Sequence, residues 1–461
     1  MRRSHWLKPN AGVELPQHLI FIDTETLPEH ISPTMEHHKL WFGWACYIRL
    51  RGLAFTPKSK MEWFRFTTVD ELWEWVGKKA YPKTRTWLFA HNWNFDAAIL
   101  NVSISLPKAG WELTKYINDK PPFILDFRRD KATLRLVDTL NYFAGSLASI
   151  GDSLGIAKLP MPKSKSDIEG WNRYCRRDIE VLVEAVTSFR AFVGEHQLGT
   201  FQSTLASQAF NAYRHRFMPV QILINGDEKA NQVEREGYYG GRTECFFLGV
   251  RNEPLYYLDI NSMYPSIMRS HTFPVSLQRV EYQVSPARAL ERSDHGGVMA
   301  VCTVETDEPV YPYRRDSRLI FPVGRFEVTL TTGELRYAIM HDHIVKISRL
   351  HIYDSEPIFT DFVDTLYSLR KSYQKANNPT FAYMCKILLN SLYGKFGQNG
   401  SKWRDLGESV GPFNGILYSQ DAPDGPVRKL RHRLGVLQEY KREGESDNSF
   451  PAIAAHVTGY G

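Results

Sequence analysis

Three times in this chain a short apolar run stops at an acid. Leu19-Ile-Phe-Ile22 gives way to Asp23-Thr24-Glu25, Trp87-Leu-Phe-Ala90 leads through Asn92 and Phe95 to Asp96, and Leu255-Tyr-Tyr-Leu258 ends at Asp259. Short apolar runs bounded by polar residues read as buried strands, and a carboxylate at the end of a strand sits on a rigid support. Residues i and i+2 of a strand face the same way, so Asp23 and Glu25 point together. Two like charges side by side repel unless something positive lies between them, and a divalent cation is the simplest candidate. Two solvated acids at an exposed strand end are the alternative. Asp96 stands where a strand passes into the helix-like Ala97-Ala-Ile-Leu100, so it reads equally as a helix N-cap. After Asp259 come Asn261-Ser262-Met263-Tyr264-Pro265, where the proline ends the strand and forces a turn. Here too a buried strand with a capping acid is the alternative.

A further acid lies on a helix. From Ile179 onward the apolar spacing is helical, and Tyr174 and Asp178 are four residues apart, so they share one face. A phenol one turn from a carboxylate can orient a water at a metal. A surface helix with an Arg/Asp pair is the plainer reading.

The totals set outer bounds. At 461 residues the chain is long enough for roughly three domains. With 43% hydrophobic and 23% charged residues it has the composition of a folded, soluble protein. The net charge of +6 is compatible with a polyanionic partner without demanding one. Cys46, Cys175, Cys245, Cys302 and Cys385 are odd in number, widely spaced and without a CxxC pair. This argues against a zinc ribbon or a disulfide framework and for a reducing, intracellular compartment. Neither a signal peptide nor a membrane-spanning run is expected.

The second half adds longer patterns. Tyr238-Tyr-Gly240-Gly241 places paired glycines where the backbone turns or approaches closely. Residues 319–330 alternate like a strand, and Thr331-Thr-Gly-Glu334 begins a helix-like segment. Residues 359–371 read as an amphipathic helix with Arg370 and Lys371 at its basic end. Asn378-Pro379 reads as a cap and first turn, and in the helix that follows Lys386, Asn390 and Tyr393 share a face. Ile387, Leu388 and Leu389 turn to the core, and Gly394 allows the helix to end.

Taken in order, D-x-E at Asp23 and Glu25, N-x-x-F-D at Asn92, Phe95 and Asp96, and Y-x-x-x-D at Tyr174 and Asp178 resemble the 3′–5′ exonuclease domain of family B DNA polymerases of the protein-primed type. The resemblance implies an RNase H-like fold. Asp23, Glu25, Asp96 and Asp178 would hold two Mg²⁺ or Mn²⁺ ions, with Tyr174 assisting the attacking water. Thr26, Asn92 and Phe95 would hold the 3′ end of single-stranded DNA. Thr139 and Leu140 match a further DNA-binding element, and Lys158 matches a lysine placed near the scissile phosphate. Tyr238, Gly240 and Gly241 match the motif between nuclease and polymerase domains that contacts the template. D-x-x-S-x-Y-P at Asp259 resembles the first palm motif. There Asp259 would bind both metals, Ser262 would meet the triphosphate, and Tyr264 would exclude a ribose 2′-hydroxyl. K-x-x-x-N-S-x-Y-G resembles the fingers motif, with Lys386 on the triphosphate and Asn390 and Tyr393 lining the nascent base pair.

The fold class expected is α/β (α+β overall). Residues 1–200 would form the exonuclease domain, 201–245 a connecting helix and junction, 246–335 the palm, 336–400 helical fingers, and 401–461 partial palm. The second palm carboxylate, in a Y-x-D-T-D motif, is not found after Lys395. Glu443-Gly-Glu-Ser-Asp447 is acidic but reads as loop, and Val427–Arg433 is a basic run that reads as a DNA contact or a solvated face. The expectation is a polymerase cut short before that motif, lacking the thumb, with exonuclease but little polymerase activity. Its partners would be single-stranded and primer-template DNA, dNTPs and a terminal protein primer, without a membrane. The rivals are a stand-alone exonuclease with a remnant polymerase half and a non-catalytic DNA-binding protein.

Overall fold

The computed structural model describes residues 2–32, 35–53, 60–118, 121–315, 318–408, 415–420, 427–433 and 436–461. The chain divides into two compact units. One holds residues 10–216 with 368–388, and the other holds 1–9, 217–367 and 389–461.

The first unit is built on a seven-stranded sheet. In chain order its elements are β1 (His18–Ser32), β2 (Met35–Arg49), β3 (Met61–Phe66), α1 (Val69–Lys78), β4 (Arg85–Ala90), α2 (Trp93–Ile99), β5 (Glu112–Asn118), β6 (Phe123–Arg129), β7 (Ala132–Asp138) and α3 (Ile168–Glu195). Across the sheet the strands run β3-β2-β1-β4-β7-β6-β5, with β1, β4 and β7 mutually parallel and the other pairs antiparallel. Parallel strands are covered on both faces and read as continuous apolar runs. Leu19 to Ile22 and Leu88 to Ala90 are accordingly wholly buried. The register sets Phe21 beside Phe89 and Ala90 beside Asp138. The C-terminal ends of β4 and β7 therefore finish at one edge, past which β1 continues to Ser32, and Asp23, the β4–α2 junction and Asp138 meet there. Thr68 opens α1 with a reciprocal capping box to Glu71. The long α3 packs Ile179, Leu182, Val186 and Phe189 inward, at the helical spacing read from the sequence. Tyr373 and Phe381, from residues 368–388, pack their rings against Phe192 in the same unit.

The second unit contains α4 (Glu228–Glu236), α5 (Met263–Ser270), β8 (Phe273–Val284), α6 (Pro286–His295), β9 (Gly297–Thr306), β10 (Gly324–Thr331), α7 (Thr332–Met340) and β11 (Ile344–Glu356). Its antiparallel sheet runs β8-β11-β9-β10, so one sheet continues across residue 335. The alternation at residues 319–330 becomes Arg318–Ile320 and then β10, and Thr331 opens α7 with a capping box to Glu334. Next come α8 (Thr360–Lys375) and α9 (Pro379–Phe396). The Asn378 side chain accepts the Phe381 backbone N–H at the start of α9. A four-stranded sheet follows, made of β12 (Asn399–Glu408), β13 (Gly415–Gln420), β14 (Val427–Arg433) and β15 (Val436–Glu445) in the order β12-β15-β14-β13. The last helix is α10 (Pro451–Tyr460). Arg2 ties three segments of this unit together: its guanidinium donates to the carbonyls of Asn225, Ser446 and Ser449 and to the Asn231 side chain.

Four local expectations are corrected. Leu255–Leu258 is not a strand: the four residues are 75–94% exposed and no described strand pairs with them. A strand exists only through its ladder, and an apolar run supplies the side chains but not the partner. Pro265 does not force a turn but lies in the first turn of α5, where its missing N–H costs nothing. The helix does not end at Gly394, since α9 continues to Phe396. Glu443 to Glu445 are the end of β15 rather than loop, and Glu445 is paired with Arg235. The basic run Val427–Arg433 is strand β14. Within it Arg428 pairs with Glu439, while Arg431 is buried over the Trp403 ring.

Candidate active site

Asp23 and Glu25 leave β1 on the same face, as alternation requires, and with the Cys175 thiol of α3 they have ligand atoms within 4.8 Å of one another. No other group of three or more metal-capable side chains converges among the described residues. Asp96 is not the cap of α2. It lies inside the helix, is 4% exposed, and accepts the Thr24 hydroxyl at 2.7 Å. Asp178 is not an exposed partner of an arginine either. It is buried on α3 and accepts the Lys158 ammonium at 2.6 Å. Lys158 also lies 4.8 Å from the Tyr174 ring centre, so phenol, lysine and acid form one cluster. The Cys175 thiol points at the Asp23 carbonyl, 3.6 Å away.

Electrostatics show what this arrangement lacks. Burial, then the neighbouring Asp178, Asp96 and Glu25, hold the Asp23 carboxyl well above its ordinary range. Burial, reinforced by Asp178 and opposed by Lys165 and Lys158, lifts Glu25 to about 7. Burial, opposed by the Thr24 hydroxyl, brings Asp96 to about 7. Burial also raises Asp178 despite the Lys158 pair, while the same pair raises Lys158 against its own burial. The two partners do not mirror each other because Asp178 is the deeper. Its second oxygen, Oδ1, is buried without a partner. Four crowded carboxylates, an orphaned buried oxygen and hard donors suit Mg²⁺ or Mn²⁺.

One expected outcome follows from the signs. Glu25 and Asp96 titrate higher in the folded chain than the ordinary 4.5 and 3.8. Between those values and about 7 the folded state binds more protons than the unfolded state, so stability falls as pH rises through that window. Below it the contribution is fully present. The Tm of metal-free protein should drop across the window, less so in a Glu25→Gln/Asp96→Asn variant. Stabilisation by Mg²⁺ should grow over the same range. A Mg²⁺ shift independent of pH would place the ion elsewhere.

The residues expected to hold a DNA 3′ end lie around the same edge. Asn92 and Phe95 are exposed, and Thr26 shares a hydrogen bond of 2.9 Å with the His38 ring, which lies edge-on to Phe95. His38 was not singled out by sequence. Thr139 is wholly buried: its hydroxyl donates to the Ala90 carbonyl and bonds the His91 ring. It supports the β4–α2 junction from behind, and Leu140 is the partly exposed member of the pair. Asp138, also missed, is 2% exposed and accepts the backbone N–H groups of Asn92, Trp93 and Leu140. Asn92 opens α2 at φ 68° and its own side chain makes no capping bond, so Asp138 takes over the unpaired N–H groups of that helix end.

In the second unit the junction and motif residues gather around Tyr264. Its ring lies 5.1 Å from that of Tyr393. A Cβ on Gly241 would press on its hydroxyl, and Gly240 has φ 85°, a backbone conformation that favours glycine. Tyr238 fits against Gly397 and accepts Arg314 at its carbonyl. Gly240, Gly241 and Tyr264 line a cavity of about 270 Å³. Ser262 precedes α5 at φ 58°. Asp259 is exposed, and no described acid joins it in a metal-capable group. Along α9, Lys386 is exposed and Asn390 and Tyr393 half-buried on the same face, while Leu388 and Leu389 are buried. Lys386 and Arg370 line a cavity of about 600 Å³ in the first unit.

Comparison with known proteins then decides the family. The family described as DNA polymerase type B, organellar and viral, matches residues 155–404, more than half the chain. The chain belongs to this family. A probable DNA polymerase of Neurospora intermedia is 25% identical over 242 residues, covering 49% of this chain and 24% of the relative. The DNA-directed DNA polymerase of Enterobacteria phage PRD1 is 25% identical over 287 residues, covering 62% and 48%. The type B polymerase chain thus spans about half or less of the length of these curated relatives. Phi29 DNA polymerase, solved with primer-template DNA and incoming nucleotide, matches with a TM-score of 0.64 at 16% identity, over 97% of this chain and 76% of that one. The fold is therefore that of phi29 DNA polymerase, mixed α/β with several sheets. Among the described residues no helix is long and apolar enough to cross a membrane.

Proposed function

We propose that this type B polymerase chain carries a 3′–5′ exonuclease in its first unit and the nucleotide-binding part of a DNA polymerase in its second. The observation that carries the nuclease reading is the pair Asp23 and Glu25 on one face of a strand, with Asp96 and Asp178 near enough to raise the Asp23 carboxyl and with Lys158 and Tyr174 beside Asp178. Those acids would hold two divalent ions, which supply positive charge to the reacting oxygens of a phosphodiester. Thr26, Asn92 and Phe95 would seat the 3′ end of single-stranded DNA. Tyr174 and Lys158, side by side on Asp178, would orient the attacking water and meet the scissile phosphate. In the second unit Tyr264, against Tyr393 and Gly241, would gate the sugar of a dNTP. Ser262 and Asn390 would complete nucleotide binding, and Tyr238 with its two glycines the template contact. Residues 1–200 serve as the nuclease domain in this reading, 201–245 as the junction, 246–335 and 401–461 as palm and 336–400 as fingers. A terminal protein as primer belongs to it too.

A second reading has its own support. Asp259 stands without a second described carboxylate, and a polymerase metal needs one, so the chain by itself would act chiefly as a nuclease. A 5′-labelled single strand incubated with Mg²⁺ should shorten stepwise from its 3′ end and stay intact in EDTA, while primer extension with dNTPs should be weak. Shortening from the 5′ end, or in EDTA, would overturn the nuclease assignment.

A further inference from the structure

Lys158 is not the only cation at the acid edge. Lys165, seven residues on, is exposed, yet it is held in place. Its ammonium lies 3.7 Å from the ring centre of Trp171 and 4.7 Å from that of Trp41. The two indoles stand 5.6 Å apart at 69°, forming a corner. The ammonium also donates to the Thr26 carbonyl at 3.4 Å. The backbone carrying it is fixed in turn: the Trp171 indole N–H donates to the Ser164 carbonyl, and Asp167 caps α3 two residues later. An ordinary surface lysine keeps its rotamer freedom. Here aromatic faces hold the cation beside Thr26 and near enough to Glu25 to oppose the rise in its pKa. Lys158 is committed inward to Asp178 and Tyr174. Of the three ammonium donors on Lys165, only one has a described acceptor, the Thr26 carbonyl.

We propose that Lys165 binds a backbone phosphate of the single strand that enters the acid site. The proposal rests on the nuclease reading above and adds to it a contact made by charge, indifferent to base sequence. An organised cation beside the residues that seat the 3′ end fits a phosphodiester better than a base, because an ammonium is a compact point charge. Trp41 and Trp171 hold it in register with Thr26, so the phosphate it meets belongs to the strand seated there.

The test is salt dependence. Binding of a fluorescent oligothymidylate is measured in EDTA from low to moderate KCl for the wild type, Lys165→Gln and Lys165→Arg. Glutamine keeps a stem against the indoles and loses the charge. Neutralising one phosphate contact on a single strand contributes about 0.7 to the slope of log K against log salt. Lys165→Gln should lose that amount and bind several-fold more weakly at low salt, and Lys165→Arg should restore the slope. In parallel, KM for degradation should rise more than kcat falls. Weaker binding at an unchanged slope would assign Lys165 to packing alone and overturn the proposal. Degradation by the wild type is read in the same samples. A wild type that binds with the full slope difference but degrades nothing with any divalent metal refutes the nuclease reading and leaves the phosphate contact standing. A wild type that does not bind refutes both.

Discussion

Asp23→Ala combined with Glu25→Ala should cut degradation of labelled single-stranded DNA by roughly 10³-fold or more, at least what losing one preorganised electrostatic group costs an enzyme. The same double variant should melt higher than the wild type in EDTA near neutral pH. Both effects have one cause. Burial and mutual repulsion raise Asp23 and Glu25, which means that the folded chain holds their charges at a cost that a bound cation relieves. Removing them abolishes the place for the cation and the cost together. Thermal melts with and without Mg²⁺ separate this from general damage: the variant should lose the Mg²⁺-dependent rise while gaining stability without it. Activity surviving the double substitution would remove these acids from the chemistry. A fall in the EDTA melting temperature would show that they are packed as ordinary structural groups.

Asp138→Ala should be the most destabilising single change at this edge. The carboxylate takes three backbone N–H groups at 2.8–3.0 Å, two of them from the start of α2. Hydrogen bonds to a charged group are each worth about 1.5–3 kcal/mol net, so a loss of roughly 3 kcal/mol or more is expected. In a unit of this size that lowers the Tm by roughly 6–12 °C. Asp138→Asn, which keeps one acceptor oxygen, should recover part of it. Because α2 carries Phe95 and Asp96, nuclease kcat should fall in both variants even at temperatures where each is fully folded by circular dichroism. If kcat is unchanged in the folded variants, Asp138 serves stability alone.

The residues that could be read from the sequence share a property. Asp23 and Glu25 are two apart on a strand, and Tyr174 and Asp178 are four apart on a helix, so their common face is a local fact. The capping box at Thr331 and Glu334 and the face shared by Lys386, Asn390 and Tyr393 are equally local. Thr24, His38, Asp138, Cys175 and Lys165 could not be read this way. Asp138 matters because Ala90 is its neighbour in a parallel ladder, and Lys165 matters because Trp41 comes from a strand more than a hundred residues away. The only sequence signal for Asp138 was an acid at the end of Leu134-Arg-Leu-Val137, a run interrupted by a charge and so weaker than the one that drew attention to Asp23. Leu255–Leu258 failed in the opposite direction: its composition is that of a strand, but strand formation is a property of pairs.

The grip of Arg2 on residues 225, 231, 446 and 449 bears on the order of assembly. The side chain is separated from two of those partners by 444 and 447 positions. During synthesis residues 10–216, which hold every strand of the seven-stranded sheet, are complete long before Ser449 exists, and domains generally fold as they emerge. The second unit cannot make this contact until residues 446–449 have been added, more than 440 positions after Arg2. Contacts of such span slow folding. The segment carrying Arg2 thus waits through the synthesis of residues 10–216, and its guanidinium is fastened only when the distant parts of the second unit are both present.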